Sequence, residues 1–431
     1  MSEKNRVKIA IVGGGIAGLA LAVGLTRKPH LDVHVYEAVP TYKDVGAGLA
    51  LHLNALKAMT LISPDLRTAY FEKALTMGEE DQEMVTEVIL AHGRFQGQRV
   101  AELGRAKGRK TVARADLLDA WLALIPAERV TFGKRLVEIE ESEHGVHLTF
   151  QGGTEATADC LLGADGIHSV TRDYLLGPDH PAAPPKNHDG WQIYRTMVST
   201  EEARRQINPK WTTNVPILLG PRGHINCIPL NKNTRLSAGV AVRGAVFSAV
   251  DGKAPALDPA LYADYSEEAQ EIVRMVAKDT SASWAAADHD HAPFYSRGRI
   301  AMFGDAAHAA LPFAGNGAAQ ALEDAACLDA LFSHVHVDGT NADADTRQIV
   351  SALAAYDRVR RPRSQAVVDL ARKFGRVYAY AEGNMHEDPE RMMKFFGEMA
   401  AFTNEFDVKG QNEEALDVFM FDAVPKGERQ N

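Results

Sequence analysis

Cysteine is scarce: the 431 residues hold three, Cys160, Cys227 and Cys327. An odd, widely spaced set excludes a disulfide framework and offers no paired ligands for a zinc site, so the reading is reduced thiols in a cytoplasmic protein. Positive charge is also in short supply. Lys and Arg number 47 against 57 Asp and Glu, a formal net charge of −10, which leaves no electrostatic footprint for nucleic acid. The one dense basic run, Arg105 to Lys110, is short and reads as a solvated loop rather than a phosphate or cofactor patch. No segment reaches the roughly 20 continuous apolar residues of a membrane span. Ile9 to Leu25 comes nearest, but it holds five glycines and no small-residue cleavage pattern, so it reads as a strand and helix and not as a signal peptide. Internal repeats and low-complexity tracts are lacking too. What is left, 45% hydrophobic and 24% charged residues, is the composition of a globular enzyme long enough for two or three lobes.

Among what is present, the motif Val12-Gly13-Gly14-Gly15-Ile16-Ala17-Gly18 carries the most chemistry. An apolar strand runs into Gly-x-Gly-x-x-Gly and then into a helix, the layout of a dinucleotide cradle. Gly13 permits the tight turn, Gly15 lets a pyrophosphate approach the backbone, and Gly18 lets the helix pack on the sheet with its positive end facing the phosphates. A second strand, Val33 to Tyr36, ends at Glu37, where a carboxylate would hydrogen-bond a ribose hydroxyl. The small-residue loop Gly46-Ala47-Gly48-Leu49-Ala50 would let backbone approach a flat ligand.

Further along, the pattern is discontinuous. Arg114 opens a helix over Asp116 to Leu124, residues 78–110 read as polar strands and turns, and residues 130–161 as strands. A Pro-rich connector precedes residues 190–295, mostly strands with one helix near Ser266 to Ala277. The chain then returns to strand, Gly-rich loop and long helices, with a helix interrupted at Pro362, and ends in a charged helical segment. This predicts an α/β fold: a Rossmann-like domain in three parts (1–77, 111–178, 297–380), a sheet-and-helix substrate domain (78–110 and 179–296) inserted into it, and a helical C-terminal segment (381–431).

Two more motifs follow in order. Leu161-Leu162-Gly163-Ala164-Asp165-Gly166 is an apolar strand ending in Asp-Gly, with Arg172 downstream. Gly304-Asp305-Ala306-Ala307-His308 leads through Pro312 and Gly315-Asn316-Gly317 into a helix carrying Glu323-Asp324. Together with the first motif they resemble the class A FAD-dependent aromatic hydroxylases, the family of salicylate hydroxylase, over about residues 7–375. The resemblance implies FAD as cofactor and NADH or NADPH as reductant without a second dinucleotide domain. It also implies molecular oxygen and a small phenolic acid as substrates, and a water-excluding pocket at the flavin edge. Asp305 would then bond a hydroxyl of the FAD chain, Arg114 would contact that chain, and backbone at Ala50 and Ala318 would approach it. The turn at Gly317 would aim a helix N-terminus at the flavin ring. Asp165 has two readings, a cofactor contact or a turn former and helix cap. His308 reads as a structural part of its turn.

For the substrate, Pro312 and Phe313 would form one wall of the pocket. Trp191 to Arg195 and His224 to Pro229 would form the other, with Arg195 holding a carboxylate or favouring a phenolate, and Tyr194 and His224 as lesser candidates. An inter-domain ion pair is the competing reading for Arg195. Two departures weaken a direct transfer of substrate. Ile228 stands where dearomatising relatives place a tyrosine before the proline, and Phe313 where many salicylate hydroxylases place a histidine. The expectation is therefore salicylate-like hydroxylation with loss of carbon dioxide. Hydroxylation of a larger polyketide-type phenol, or a non-catalytic binding protein on the same scaffold, stand as alternatives. Asp288-His289-Asp290-His291 reads as a solvated loop rather than a metal site, because neighbours on an extended segment face opposite ways.

Overall fold

A computed structural model describes residues 6–42, 48–247, 254–337 and 340–423. Gly46 and Ala47 of the small-residue loop and the tail from residue 424 lie outside the described residues.

Val7–Val12 is a run of β-branched and small apolar residues buried at every position but one. That is the pattern of a strand covered on both faces of a parallel sheet. It sits at the middle of a six-stranded sheet in the order Ser296–Arg297, Ile300–Met302, Cys160–Gly163, Val7–Val12, Leu31–Tyr36, Val130–Thr131. All pairs are parallel except the first. The strand order reverses at Val7–Val12, which has Leu31–Tyr36 on one side and Cys160–Gly163 on the other. A crevice therefore opens at its carboxyl end, as in other doubly wound sheets. The helix Ile16–Leu25 is buried from Ala17 to Leu25 because the helix Gly317–Phe332 packs over it.

A second, seven-stranded sheet runs Ala282–Ala285, Gln192–Ser199, Arg235–Val242, Gly223–Leu230, Val215–Gly220, Glu83–Leu90, Arg99–Lys107. The two strands between residues 83 and 107 thus complete the edge of a sheet built mostly from residues more than a hundred positions later. Its two faces have different cores. Tyr194, Ile225, Cys227 and Val240 pack with the helix Glu267–Val276, whereas Trp191, Ile193, Leu219 and Ala241 pack with Phe313, Phe374 and Phe396. Period-two alternation divides the strands between these faces.

Helices close the molecule. The helix Ala342–Tyr378 runs unbroken through Pro362, against the expected interruption there. Proline's fixed φ suits a helix, and the carbonyl it leaves unbonded belongs to Arg358, an exposed residue where water can satisfy it. Pro389–Asn404 and Val408–Ala423 follow, the latter packing on both Gly317–Phe332 and the long helix.

Candidate active site

The first glycine turn is shaped by backbone contact. Gly13 has φ +104°, and a Cβ there would stand 2.2 Å from the Ala164 carbonyl oxygen; one on Gly18 would stand 1.9 Å from that of Gly13. Neither position tolerates a side chain. Gly15 differs: the nearest atom to its added Cβ is a guanidinium nitrogen of Arg114, at 3.6 Å. No side chain caps the Ile16–Leu25 helix that Gly15 begins, so its first N–H groups remain available to an anion. Glu37 closes the other side. One carboxylate oxygen accepts the Gly14 N–H at 2.5 Å and the other the Val39 N–H at 2.8 Å, leaving lone pairs for a ribose hydroxyl. These residues line a cleft of about 250 Å³ together with Asp165 and His168. Open ground beside an arginine, a bare helix end and a fixed carboxylate fit the phosphate and ribose of FAD.

Asp165 is committed locally. Its carboxylate accepts the Ser169 hydroxyl at 2.5 Å and the Thr171 N–H at 3.0 Å, the helix-cap arrangement. Burial raises its pKa, and these hydrogen bonds oppose the rise. Only its cleft-lining position leaves it near a cofactor. Ala50 is exposed beside the Leu49–Val112 bridge, and Asp305 is exposed at the start of the helix Asp305–His308.

The second glycine turn is open in front and braced behind. Gly315 is left-handed, with φ +61°, and an added Cβ at Gly317 meets nothing within 4 Å. No side chain caps the helix Gly317–Phe332, and the Nδ2 of buried Asn316 has no partner. Ala318 is half-buried in its first turn. Uncapped N–H groups at a helix N-terminus suit a ring that gains negative charge on reduction. Behind the turn lies a buried polar network that the motifs alone did not disclose. Arg360, fully buried, donates to Asp324 at 2.7 Å, Glu323 at 2.8 Å and Gln411 at 2.6 Å. Glu323 also accepts from Asn54 and Gln320, and the Gln320 amide donates to Asn316 at 2.9 Å. Asp324 takes the Gly304 N–H and the His308 ring. Burial alone would raise the Asp324 pKa, but the adjacent His308 and Arg360 outweigh burial and hold it well below the usual carboxylate range. Arg172 ties the two later motifs together, donating to the carbonyls of Ala182, Ala306, Ala307 and Asp290.

In front of the turn, Pro312 is exposed and Phe313 is buried against the second sheet. The Phe313 ring lies 4.5 Å from Trp191 and 5.3 Å from His224, which in turn lies 4.9 Å from Tyr378. Burial lowers the His224 pKa to about 4, and its Nδ1 has no partner. Arg195 shares this face, two residues beyond Ile193. It stands opposite Gly239, which stands opposite Asn226, and a Cβ on Gly239 would lie 2.9 Å from the Asn226 Oδ1, so the Asn226 side chain covers the glycine between them. Its guanidinium lies 5.1 Å from the Trp284 ring, and burial is what lowers its pKa, with no carboxylate among the described residues opposing it. The expected alternative of an inter-domain ion pair is therefore not what the side chain makes.

Tyr194 is corrected. It points to the opposite face, into the Glu267–Val276 core, where its hydroxyl donates to the Pro255 carbonyl at 2.5 Å. Alternation along the strand separates it from Trp191, Ile193 and Arg195. The solvated loop at residues 288–291 is corrected too. Asp288 and His289 are buried; Asp288 pairs with Arg372 at 2.6 Å and His289 meets the Ile167 carbonyl at 2.9 Å.

Comparison with known proteins agrees with this geometry. The FAD binding domain family matches residues 67–371, and an NAD(P)-binding Rossmann-like domain matches residues 11–41. A 6-methylsalicylate 1-monooxygenase of Aspergillus terreus is 34% identical over 429 residues, 97% of this chain and 94% of that protein. A salicylate hydroxylase of Pseudomonas putida is 32% identical over 391 residues, 88% of this chain and 87% of its own. A solved salicylate hydroxylase substrate complex superposes with a TM-score of 0.79 at 27% identity, covering 96% of this chain and 98% of that one.

Proposed function

Because this chain belongs to the FAD binding domain family of flavin-dependent aromatic monooxygenases, we propose that it hydroxylates a small phenolic acid of the salicylate type at the carboxyl-bearing carbon, releasing carbon dioxide. FAD, when bound, accepts a hydride from NADH or NADPH and activates molecular oxygen to deliver one oxygen atom to the ring.

The observation that carries the substrate class is the junction of the two sheets at Phe313. Trp191, His224 and Phe313 bring an aromatic wall to the very turn whose next residues, Gly315 to Ala318, would receive the flavin. A flat phenol held against that wall lies beside the ring that must attack it, out of water. His224 is held neutral by burial, so its unpartnered Nδ1 can accept a hydrogen bond from the phenol hydroxyl and orient it. Arg195 is a cation without a carboxylate on the same sheet face, placed to take the substrate's carboxylate. We take residues 78–110 and 179–296 as the substrate side, a division supported by the seven-stranded sheet, whose strands fall within residues 83–107 and 192–285.

The test is oxidation of NADH and NADPH by the FAD-loaded protein with salicylate and 6-methylsalicylate, recording oxygen uptake, peroxide, carbon dioxide and product mass. One added oxygen with loss of carbon dioxide is expected. One added oxygen with the carboxyl retained would replace this reading with ring hydroxylation. Peroxide alone from every phenolic acid would remove the substrate assignment.

A further inference from the structure

The basic run that ends at Lys110 is not uniform. Arg105 is exposed and pairs with Glu102 and Glu83, as a solvated loop would. Arg109 and Lys110 are half-buried and line a second cavity of about 230 Å³ with Ala50, His52, Tyr70 and Phe71. Arg109 donates to the Thr86 hydroxyl at 2.9 Å, and burial lowers its pKa with no carboxylate among the described residues opposing it. A guanidinium withdrawn from water with one neutral partner is costly unless an anion joins it. Its positive charge also adds to the burial that keeps His52 neutral.

His52 connects this cavity to the flavin turn. Its Nε2 lies 3.9 Å from where a Cβ on Gly315 would stand. The cavity therefore offers, on one side, two adjacent cations and, on the other, the aromatic side chains of Tyr70, Phe71 and His52, the last reaching the turn that would carry the flavin ring. A chain with a net charge of −10 repels a polyanion as a whole, so a local pair of cations is needed to recruit one.

We propose that Arg109 and Lys110 bind the pyrophosphate of the nicotinamide donor, and that this cavity is where NADH or NADPH docks to reach the flavin. The inference rests on the proposed function, since it takes the flavin ring to lie at the Gly315 turn. Arg109 supplies the forked contact to phosphate oxygens, and Lys110 supplies a mobile point charge beside it. The first glycine turn then serves FAD alone, and one Rossmann-like unit suffices for two dinucleotides.

The experiment uses the FAD-loaded enzyme with salicylate present. Binding of NAD+ and NADP+ is measured by calorimetry, and KM for NADH and NADPH by flavin reduction, in Lys110→Gln, Arg109→Gln and Arg109→Lys. Loss of one charge-assisted contact to phosphate is expected to raise both nucleotide Kd and KM about ten-fold in each Gln variant. Arg109→Lys should recover part of that loss, with Kd for FAD and salicylate unchanged throughout. Lys110→Gln guards the result against misfolding, because that side chain makes no buried contact on which the fold depends. Wild-type nucleotide binding in both Gln variants would overturn the proposal, and so would a loss confined to salicylate, which would make the pair a carboxylate site for substrate. Failure of the function itself reads differently: wild-type holoenzyme that neither nucleotide reduces, whatever phenol is supplied.

Discussion

The molecule has two glycine turns that would face one cofactor, and they are built in opposite ways. The turn at Gly13 to Gly18 is fixed by backbone alone, with the carbonyl oxygens of Ala164 and Gly13 standing 2.2 and 1.9 Å from where side chains would begin. The turn at Gly315 to Ala318 has open space at Gly317 and takes its shape from behind, through charges on Glu323, Asp324 and Arg360. The first is a backbone device, a motif of six consecutive residues closed by one carbonyl from the end of the neighbouring strand, Ala164. The second is a tertiary device, with contributions from Asn54, the long helix and, through Gln411, the C-terminal helix. A phosphate site needs close approach and little else, while a ring that changes charge needs its helix end held still against a reaction.

The sharpest way to break this contrast is the same substitution in each turn. Gly13→Ala adds a methyl both against the Ala164 carbonyl and at φ +104°, a clash that costs several kcal/mol and removes the phosphate approach. The purified protein is expected to carry no flavin and to unfold at a far lower temperature; a yellow protein with a wild-type Tm would sink the backbone account. Next in size is Arg360→Met, which leaves buried Asp324 with His308 alone as an ionic partner and buried Glu323 with only a 3.4 Å contact to Arg363. Breaking such a buried set costs about 3–5 kcal/mol, so the Tm of the apoprotein should fall by about 3–6 °C for a chain of this length. A Tm within a degree or two of wild type would mean that the second turn does not hang on this network.

The same contrast explains what could be read from the chain. The first turn, Glu37 and the parallel strands were legible, because a six-residue spacing and an apolar run dictate their own geometry. So were Arg114 and the order of the three motifs, which place a family. Arg360 was visible only as part of a basic stretch near Pro362, since nothing within that stretch says that its guanidinium would be wholly buried between two carboxylates on another helix. Residues 78–110 were expected on the substrate side, but the parallel pairing of Glu83–Leu90 with Val215–Gly220 that joins them to the second sheet is a contact no local pattern encodes. Tyr194 was misplaced for a simpler reason: Ile193 and Arg195 lie on one face and Gln192, Tyr194 and Thr196 on the other, polar and apolar residues occur on both, and alternation alone did not say which face meets the pocket. Arg109 and Lys110 looked solvated because Arg105 beside them is.

His224, in front of the second turn, gives a pH test. Its folded pKa of about 4 lies below the unfolded value of about 6.5, so the folded protein holds it neutral. Its share of stability is complete above pH 6.5 and is lost as the pH falls toward 4, about 3 kcal/mol in all. Urea unfolding of wild type and His224→Gln from pH 7.5 to 4 should show wild type losing more by that amount; parallel curves would show that His224 is not held neutral in the fold. Arg114→Ala is smaller. The side chain is exposed, so apoprotein Tm should not move, but one charge-assisted phosphate contact is lost and the FAD Kd should rise about ten-fold. An unchanged Kd would separate Arg114 from the phosphates.

Gly317→Ala closes the comparison with the smallest effect and the most specific reading. Nothing in the protein lies within 4 Å of the added methyl, and alanine is favoured over glycine in a helix by up to about 1 kcal/mol. The apoprotein should therefore unfold at the wild-type temperature or slightly above it. The methyl nevertheless stands where the flavin ring is expected, so FAD should bind a few-fold more weakly, as measured by quenching of flavin fluorescence on titration with apoprotein. Stability and affinity then move apart, which is the mark of a glycine kept for a ligand and not for the fold. In the first turn the same exchange lowers both together. Wild-type FAD affinity in Gly317→Ala would leave the second turn without a ring above it, and the open space there would need another occupant.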